Sequence, residues 1–256
     1  PTDRRSIKAI LPLARKAQIP ILNSTVTLSE GDSYLFSNSL SSEHLTEPFS
    51  IYLLQMAPKS ALIVTEALPN PLLPAYRAAL GKDRQVEEFP LQTSLKGSER
   101  ALSKKLKAMK PDLVVLLLGA AEMKESFQLL SKVGFRGSIF SSPELFDYWK
   151  VSSNRSELNG SCFPYPFEQL REEEAFVKRF RALYETEPLM GADSSYDAVG
   201  IIHHSFLRSA GGPVAEELRS TDYIGVVGQY RFTEEGSLTK GRASLTCIVK
   251  KTPLVI

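Results

Sequence analysis

From position 61 to position 141, short apolar runs alternate with longer amphipathic segments, and one run, Leu113-Val114-Val115-Leu116-Leu117-Leu118, contains no polar residue. A strand with one face in water shows a polar side chain at every second position. A strand apolar on both faces has to be covered on both. A parallel sheet with helices above and below it meets that condition. The pattern predicts strands at 61–65, 86–91, 113–118 and 138–141, with helices at 72–80, 98–109 and 121–133 between them. Lys104, Lys105, Lys107 and Lys110 interleave with Leu102, Leu106 and Met109 at helical spacing, so they read as the solvated face of a helix.

The flanking regions are less regular. Ile7, Ile10, Leu11, Ala14 and Ala17 share one helical face, with Pro12 as a kink or a true start. Residues 20–22 and 34–36 read as short strands, and 42–56 as a helix that tolerates Pro48 only in its first turns. Phe163-Pro164-Tyr165-Pro166-Phe167 is too rich in proline for a central strand and reads as an interdomain connector. Helices are expected at 172–185, where Glu172-Glu173-Glu174 would favour the helix dipole, and at 194–209, ending before Gly211-Gly212. Segments 226–232 and 242–249 read as two strands around a turn at Glu234-Glu235-Gly236.

A net charge of +2 over 256 residues supplies no basic field for nucleic acid, and the longest apolar run is too short to span a bilayer. No glycine-rich phosphate loop follows a strand, and no nucleophile elbow is present. Of the three histidines, His203 and His204 are adjacent and would point about 100° apart on a helix, while His44 is remote. No metal, cofactor or catalytic group is expected. Cys162 and Cys247 fit either one disulfide or two buried thiols.

Several stretches resemble, in order, the leucine/isoleucine/valine-binding branch of the type I periplasmic binding proteins. They are ILPLARKAQIPILNSTVT (10–27), KKLKAMKPDLVV (104–115), LLSKVGFRGSIFSS (129–142), FVKRFRALYETEP (176–188), SSYDAVGIIHHSFLRSAG (194–211) and GVVGQYRFTEEG (225–236). The resemblance implies two α/β lobes joined by three crossings, with a ligand held in the cleft. Lobe 1 would comprise residues 1–40 and 167–222, and lobe 2 residues 41–166 and 223–256. It implies a solute-binding receptor that captures an amino acid or similar small polar molecule for uptake through the membrane subunits of an ABC transporter. The location implied is periplasmic or otherwise extracytoplasmic. The alternative is a sensory or regulatory receptor domain of the same fold, acting through a protein partner.

The same resemblance places ligand contacts at Ser24, Thr25 and Thr27, in the loop after the first strand, where backbone N–H groups and hydroxyls suit a carboxylate. From lobe 2 it suggests Glu66 and Glu144 as acceptors for a ligand ammonium, with Phe146 and Tyr165 as aromatic cover. Two departures stand out. Thr65-Glu66-Ala67-Leu68-Pro69-Asn70-Pro71 offers no tyrosine where relatives place one against the ligand, which argues against a standard amino-acid ligand. The chain also starts after the family's first βα units, roughly 60–90 residues at about 30 per unit. Lobe 1 is therefore expected to be incomplete, and no signal sequence is expected within the chain.

Overall fold

A computed structural model describes residues 4–24, 32–66, 70–91, 95–165, 175–189, 191–239 and 243–256. The chain forms two compact units, residues 1–44 with 166–242 and residues 45–165 with 243–256.

The second unit is built on a seven-stranded sheet. In chain order it contains α2 (Ser42–Met56), which begins at the boundary, then β3 (Ser60–Thr65), α3 (Leu73–Leu80), β4 (Gln85–Pro90), α4 (Leu95–Met109) and β5 (Leu113–Leu117). It continues with α5 (Ala120–Lys132), β6 (Ser138–Ser141), α6 (Leu145–Val151), β7 (Ser161–Tyr165), and finally β10 (Ser244–Val249) and β11 (Thr252–Val255). The strand order is β11-β10-β7-β6-β5-β3-β4, with β4, β3, β5, β6 and β7 parallel and β10 antiparallel to both of its neighbours. Every residue of β5 is buried, as its unbroken apolar run requires. Edge strand β4 shows how the two faces are covered. Its adjacent Glu87 and Glu88 point to opposite sides, and the first pairs with Lys105 of α4, the second with Arg77 of α3. On the α3 face, Phe49 stacks on Tyr76 at 4.3 Å and tilts against Phe140 at 4.7 Å.

Helix α2 spans the expected residues, with Pro48 buried in its first half. Two other local readings are corrected. Helix α1 (Arg4–Ala17) begins well before Pro12 and runs through it, so Pro12 is not its start. Residues 163–165 of the proline-rich segment belong to a buried interior strand, β7, and not merely to a connector; Pro166 and Phe167 lie outside the described residues. Pro164 is tolerated for a geometric reason. Cys162 and Cys247 face each other across β7 and β10 with Cα atoms 4.0 Å apart, the close spacing of a non-hydrogen-bonded pair. Pro164 lies two residues further on, in the same phase, so its nitrogen faces away from β10. On the other side the ladder with β6 reaches only Cys162. No sheet hydrogen bond is lost.

The two cysteines form a disulfide. It joins residues 85 apart in sequence, and closing a loop of that length restricts the unfolded chain by roughly 4–5 kcal/mol on the chain-entropy account. Strand β10 then turns into β11 through Lys250 and Lys251, both at positive φ (49° and 71°), a two-residue turn usually built from Asn-Gly. The Lys251 N–H donates to Asn159 Oδ1 (2.7 Å) and its carbonyl accepts from Trp149 Nε1 (2.9 Å), which hold this unfavoured conformation in place.

The first unit contains α1, β1 (Ile21–Asn23), β2 (Leu35–Ser37), α7 (Ala175–Tyr184), α8 (Ala192–Ser209), α9 (Val214–Arg219), β8 (Tyr223–Ile224) and β9 (Gln229–Tyr230). β1 and β2 are parallel, and β8 and β9 form a separate antiparallel ribbon. The expected turn at Glu234-Glu235-Gly236 forms, with Phe232 bridged antiparallel to Leu238, but residues 244–249 pair with β7 and β11 and not with 226–232. The turn also meets β2, where the Ser37 N–H donates to the Gly236 carbonyl (2.8 Å) and the Asp32 N–H to that of Glu235 (2.9 Å). Gly236 sits at φ 78°, and a Cβ there would stand 2.2 Å from the Leu35 carbonyl oxygen. Residues 223–242, assigned from sequence to lobe 2, therefore cluster with the first unit.

The fixed point of that arrangement is Asp197 of α8, fully buried. Its carboxylate accepts from the N–H groups of Val226 (2.7 Å) and Val227 (2.9 Å) and from the Tyr230 hydroxyl (2.8 Å). The Tyr230 hydroxyl is accordingly harder to ionise than usual, through burial first and the Asp197 charge second. Gly225 lets the turn come this close, since a Cβ there would stand 2.3 Å from the carboxyl carbon of Asp197. Around this anchor pack Phe36, Ile201, Leu218, Tyr230 and Phe232. On the same helix Tyr196, Val199, Ile202 and Phe206 form an exposed apolar stripe.

Two outcomes follow from these contacts. Asp197→Ala strands two part-buried N–H groups and the buried Tyr230 hydroxyl, and is expected to cost about 3 kcal/mol in urea unfolding. Replacing Lys250-Lys251 by Asn-Gly is expected to stabilise the chain by about 0.5–1 kcal/mol, because the turn then needs no unfavourable φ; thermal melts of the two proteins compare them directly.

Candidate functional site

The five parallel strands of the second unit run β4-β3-β5-β6-β7, so the chain leaves β3 to one side for β4 and returns past it for β5. At such a reversal the two following loops diverge and leave a crevice at the carboxyl ends of the strands, where open α/β sheets bind ligands. The residues at those ends are Glu66 after β3, Gly119 after β5, and Ser142 to Glu144 after β6.

Glu66 and Gly119 bridge the reversal directly, the Gly119 N–H donating to Glu66 Oε1 (2.6 Å) at the N-terminus of α5. Glu144 lies near them. The residue keeps part of its surface exposed, but its Oε2 is buried and has no hydrogen-bond partner. Burial pushes the Glu144 carboxyl up from its ordinary range, and the charges of Asp147 and Glu66 push it further. A hydrogen bond from Ser142 acts in the opposite direction. Tyr76 is raised as well, by its complete burial and secondarily by Glu144, and its hydroxyl donates to the Leu45 carbonyl (3.3 Å).

Phe146 and Tyr165 also come together, edge to face at 4.7 Å, and both are buried. The Phe146 ring is further engaged by Trp149, stacked at 5.5 Å, and by the Lys150 ammonium, 4.6 Å from its centre. The aromatic pair is thus part of a packed cluster beside the acids.

In the first unit, Ser24 follows β1, and its carbonyl accepts from the Ser194 hydroxyl (3.2 Å). Thr25 and Thr27 lie outside the described residues. The neighbouring strand ends are polar. Asn23 Nδ2 donates to Ser37 Oγ (3.1 Å), and Asn38 Nδ2 to the Ser194 carbonyl (2.7 Å). Sequence reasoning did not single out Asn23, Ser37, Asn38, Gly119 or Ser142. Their common signal is position, each falling at or just after the carboxyl end of a parallel strand. Among the described residues no cluster of histidine, cysteine or acids is able to hold a metal ion, and no helix is long and apolar enough to cross a membrane.

No family model matches this sequence, and no curated protein matches it as a relative. Solved structures do. The leucine-binding protein LivK of Thermotoga maritima superimposes with a TM-score of 0.81 at 17% identity, over 100% of this chain and 77% of that one. The branched-chain amino-acid-binding protein LivJ of Streptococcus pneumoniae, solved with isoleucine, gives 0.80 at 18% identity, over 100% and 78%. A substrate-binding protein of an ABC transporter from Desulfitobacterium hafniense, in complex with leucine, gives 0.75 at 22% identity, over 98% and 77%. The chain has the type I periplasmic-binding-protein fold. It is shorter than these neighbours, all three of which are described as binders of small solutes or as transport components.

The position of Glu144 sets a pH dependence. With its native pKa above the ordinary value of 4.5, the group takes up a proton on folding. Its contribution to stability is present below that value and is lost as pH rises through the native pKa. Glu144→Gln, neutral throughout, is expected to flatten the fall in melting temperature that the parent shows as pH rises above the ordinary carboxyl range, and to melt higher than the parent once Glu144 is ionised; melting curves across pH check this.

Proposed function

We propose that this chain is a solute-binding receptor that captures an amino acid or similar small polar ligand and hands it to the membrane subunits of an ABC-type uptake system. The observation that carries this reading is the buried, unpartnered carboxylate oxygen of Glu144 beside the reversal of a parallel sheet. A buried acceptor without a donor is costly, and a ligand ammonium arriving there supplies both the missing hydrogen bond and the opposing charge. Glu66 sits next to it, already oriented by the Gly119 N–H. Ser24, Thr25 and Thr27, with the polar strand ends of the first unit, are the proposed partners for the ligand carboxylate. Phe146 and Tyr165 wall the site through the cluster they form.

The residues 1–40 with 167–222 and 41–166 with 223–256, adjusted by the observed clustering of 223–242, are the proposed lobes. The disulfide supports an extracytoplasmic location, since such bonds persist in oxidising compartments and are rare in reducing ones.

A thermal-shift screen of the purified protein against the standard amino acids tests the reading. A ligand present at about 100 times its Kd adds about 2.7 kcal/mol to native stability and must raise the melting temperature. Glu144→Ala is expected to weaken binding on the order of 100-fold, because it removes one partner of a desolvated charge pair. Absence of any shift across the panel rejects a receptor for amino acids.

A further inference from the structure

The amino ends of the second unit's strands gather positive charge. Each helix runs back against the strand before it, so every helix-to-strand loop of the parallel sheet lies at that end. The β10–β11 turn joins them there, its Lys251 N–H bonded to Asn159 just before β7. These segments, residues 57–59, 81–84, 110–112, 133–137, 152–160 and 250–251, hold eight lysines and arginines against three acids, Asp83, Asp112 and Glu157. The whole chain carries only +2, so its net charge conceals this local field. Six of the eight, Lys59, Lys82, Lys110, Arg136, Lys250 and Lys251, are exposed. Among the described residues none of the six makes a salt bridge, whereas Arg77, Lys105 and Lys132 on the helices each do. Two of the acids are engaged inside the unit, Asp112 by the Lys59 and Ser60 N–H groups and Glu157 by the Tyr148 hydroxyl.

Helix dipoles account for the cations in the last helical turns, Lys107, Lys132 and Lys150, but Lys250 and Lys251 belong to no helix. Three of the exposed lysines also sit where lysine is a poor choice of residue. Lys110, Lys250 and Lys251 have φ of 46°, 49° and 71°, in the left-handed region that glycine or asparagine occupies at lower cost. At the same corner apolar surface is mixed with the charge. Trp149 Nε1 donates to the Lys251 carbonyl (2.9 Å), and the Arg155 guanidinium lies 4.4 Å from the indole centre. Val151 and Val249, next in sequence to Lys150 and Lys250, are 69% and 41% exposed.

We propose that this amino-end face is a docking surface for a bilayer rich in anionic phospholipid headgroups, holding the protein at the membrane without entering it. The six exposed cations come from five separate connections, and strands about 4.8 Å apart spread them over roughly 30 Å from β4 to β11. A small anion meets one or two of them. A surface that repeats its negative charge meets them all, each basic residue adding to the attraction. Exposed valines and an indole among the cations distinguish a lipid surface from an acidic polypeptide, because apolar, aromatic and basic side chains are favoured together where headgroups meet acyl chains. The lysines at unfavourable φ are then retained for their charge, at a cost in stability. The face lies at the opposite end of the strands from Glu66 and Glu144, so it stands independently of the receptor reading.

The test is co-sedimentation of the full chain, at low ionic strength, with vesicles of phosphatidylcholine alone or with about 30% phosphatidylglycerol. Binding is expected to the anionic vesicles only, and about 0.5 M salt is expected to release it. A variant carrying Lys110→Gly, Lys250→Asn and Lys251→Gly loses three charges at positions its new residues fit better, so it is expected to melt no lower than the parent. At about fivefold per basic residue, its vesicle binding is expected to weaken on the order of 100-fold. If it does melt lower, Lys82→Gln with Arg136→Gln, which change exposed side chains alone, is read in its place and is expected to weaken binding at least tenfold. A control with Lys96→Gln, Lys104→Gln and Lys124→Gln loses the same charge from exposed helix positions off this face, and is expected to bind as the parent does. Four outcomes each overturn the proposal: no binding to anionic vesicles, equal binding to both kinds, equal loss in the face and control variants, and capture by soluble polyglutamate with vesicles left unbound.

Discussion

The second unit depends on burying a parallel sheet on both faces. β3 and β5 offer water no polar side at all, so helices must cover them above and below, and the opposed ion pairs of Glu87 and Glu88 mark the two layers. Once both faces are sealed, polar chemistry has one place left, the ends of the strands. The amino ends are closed by contacts such as the Asp112 carboxylate accepting from the Lys59 and Ser60 N–H groups. The carboxyl ends carry Glu66, Gly119 and Glu144. The order of the strands does the rest, since the reversal between β4 and β5 around β3 keeps two loops apart and leaves space between them.

The first unit is organised differently, around a buried charge satisfied by backbone. Asp197 holds the turn at Val226 and Val227 and the Tyr230 hydroxyl, and Gly225 is small because the carboxylate occupies the space a side chain would take. The Tyr-Asp-Ala and spaced-glycine stretches that suggest a family in the sequence therefore have a structural origin. They are the two sides of one packing contact and do not by themselves argue for a ligand.

How much was legible follows from how local each cause is. The helices and strands from 60 to 141 were readable because each carries its own period, and β6 falls at the expected positions. Pro12 and Pro164 misled, because a proline's cost depends on where its nitrogen points, and that is settled by its surroundings. The tail misled for a similar reason. Tyr230 and Gly236 pair with Asp197 and β2, partners lying about 33 and 200 residues away in sequence, which no local turn pattern reports. Of the candidate site, Glu66, Glu144 and Ser24 were named because they follow predicted strands, and they lie at strand ends in the structure, while Gly119 and Ser142 carry no local signal beyond that position.

The sequence by itself determined the layered α/β class, since an apolar run such as residues 113–118 has few ways to be buried. It also suggested the resemblance to type I periplasmic binding proteins, whose fold the superpositions then showed over the whole chain. Only the tertiary structure decided that Cys162 and Cys247 pair, because a disulfide needs two Cα atoms a few ångströms apart and spacing along the chain does not specify that. It alone decided that Glu66 and Glu122, 56 positions apart, both bring a carboxylate oxygen against Gly119. Charge acts through space, so its meaning is fixed when the strands are set side by side.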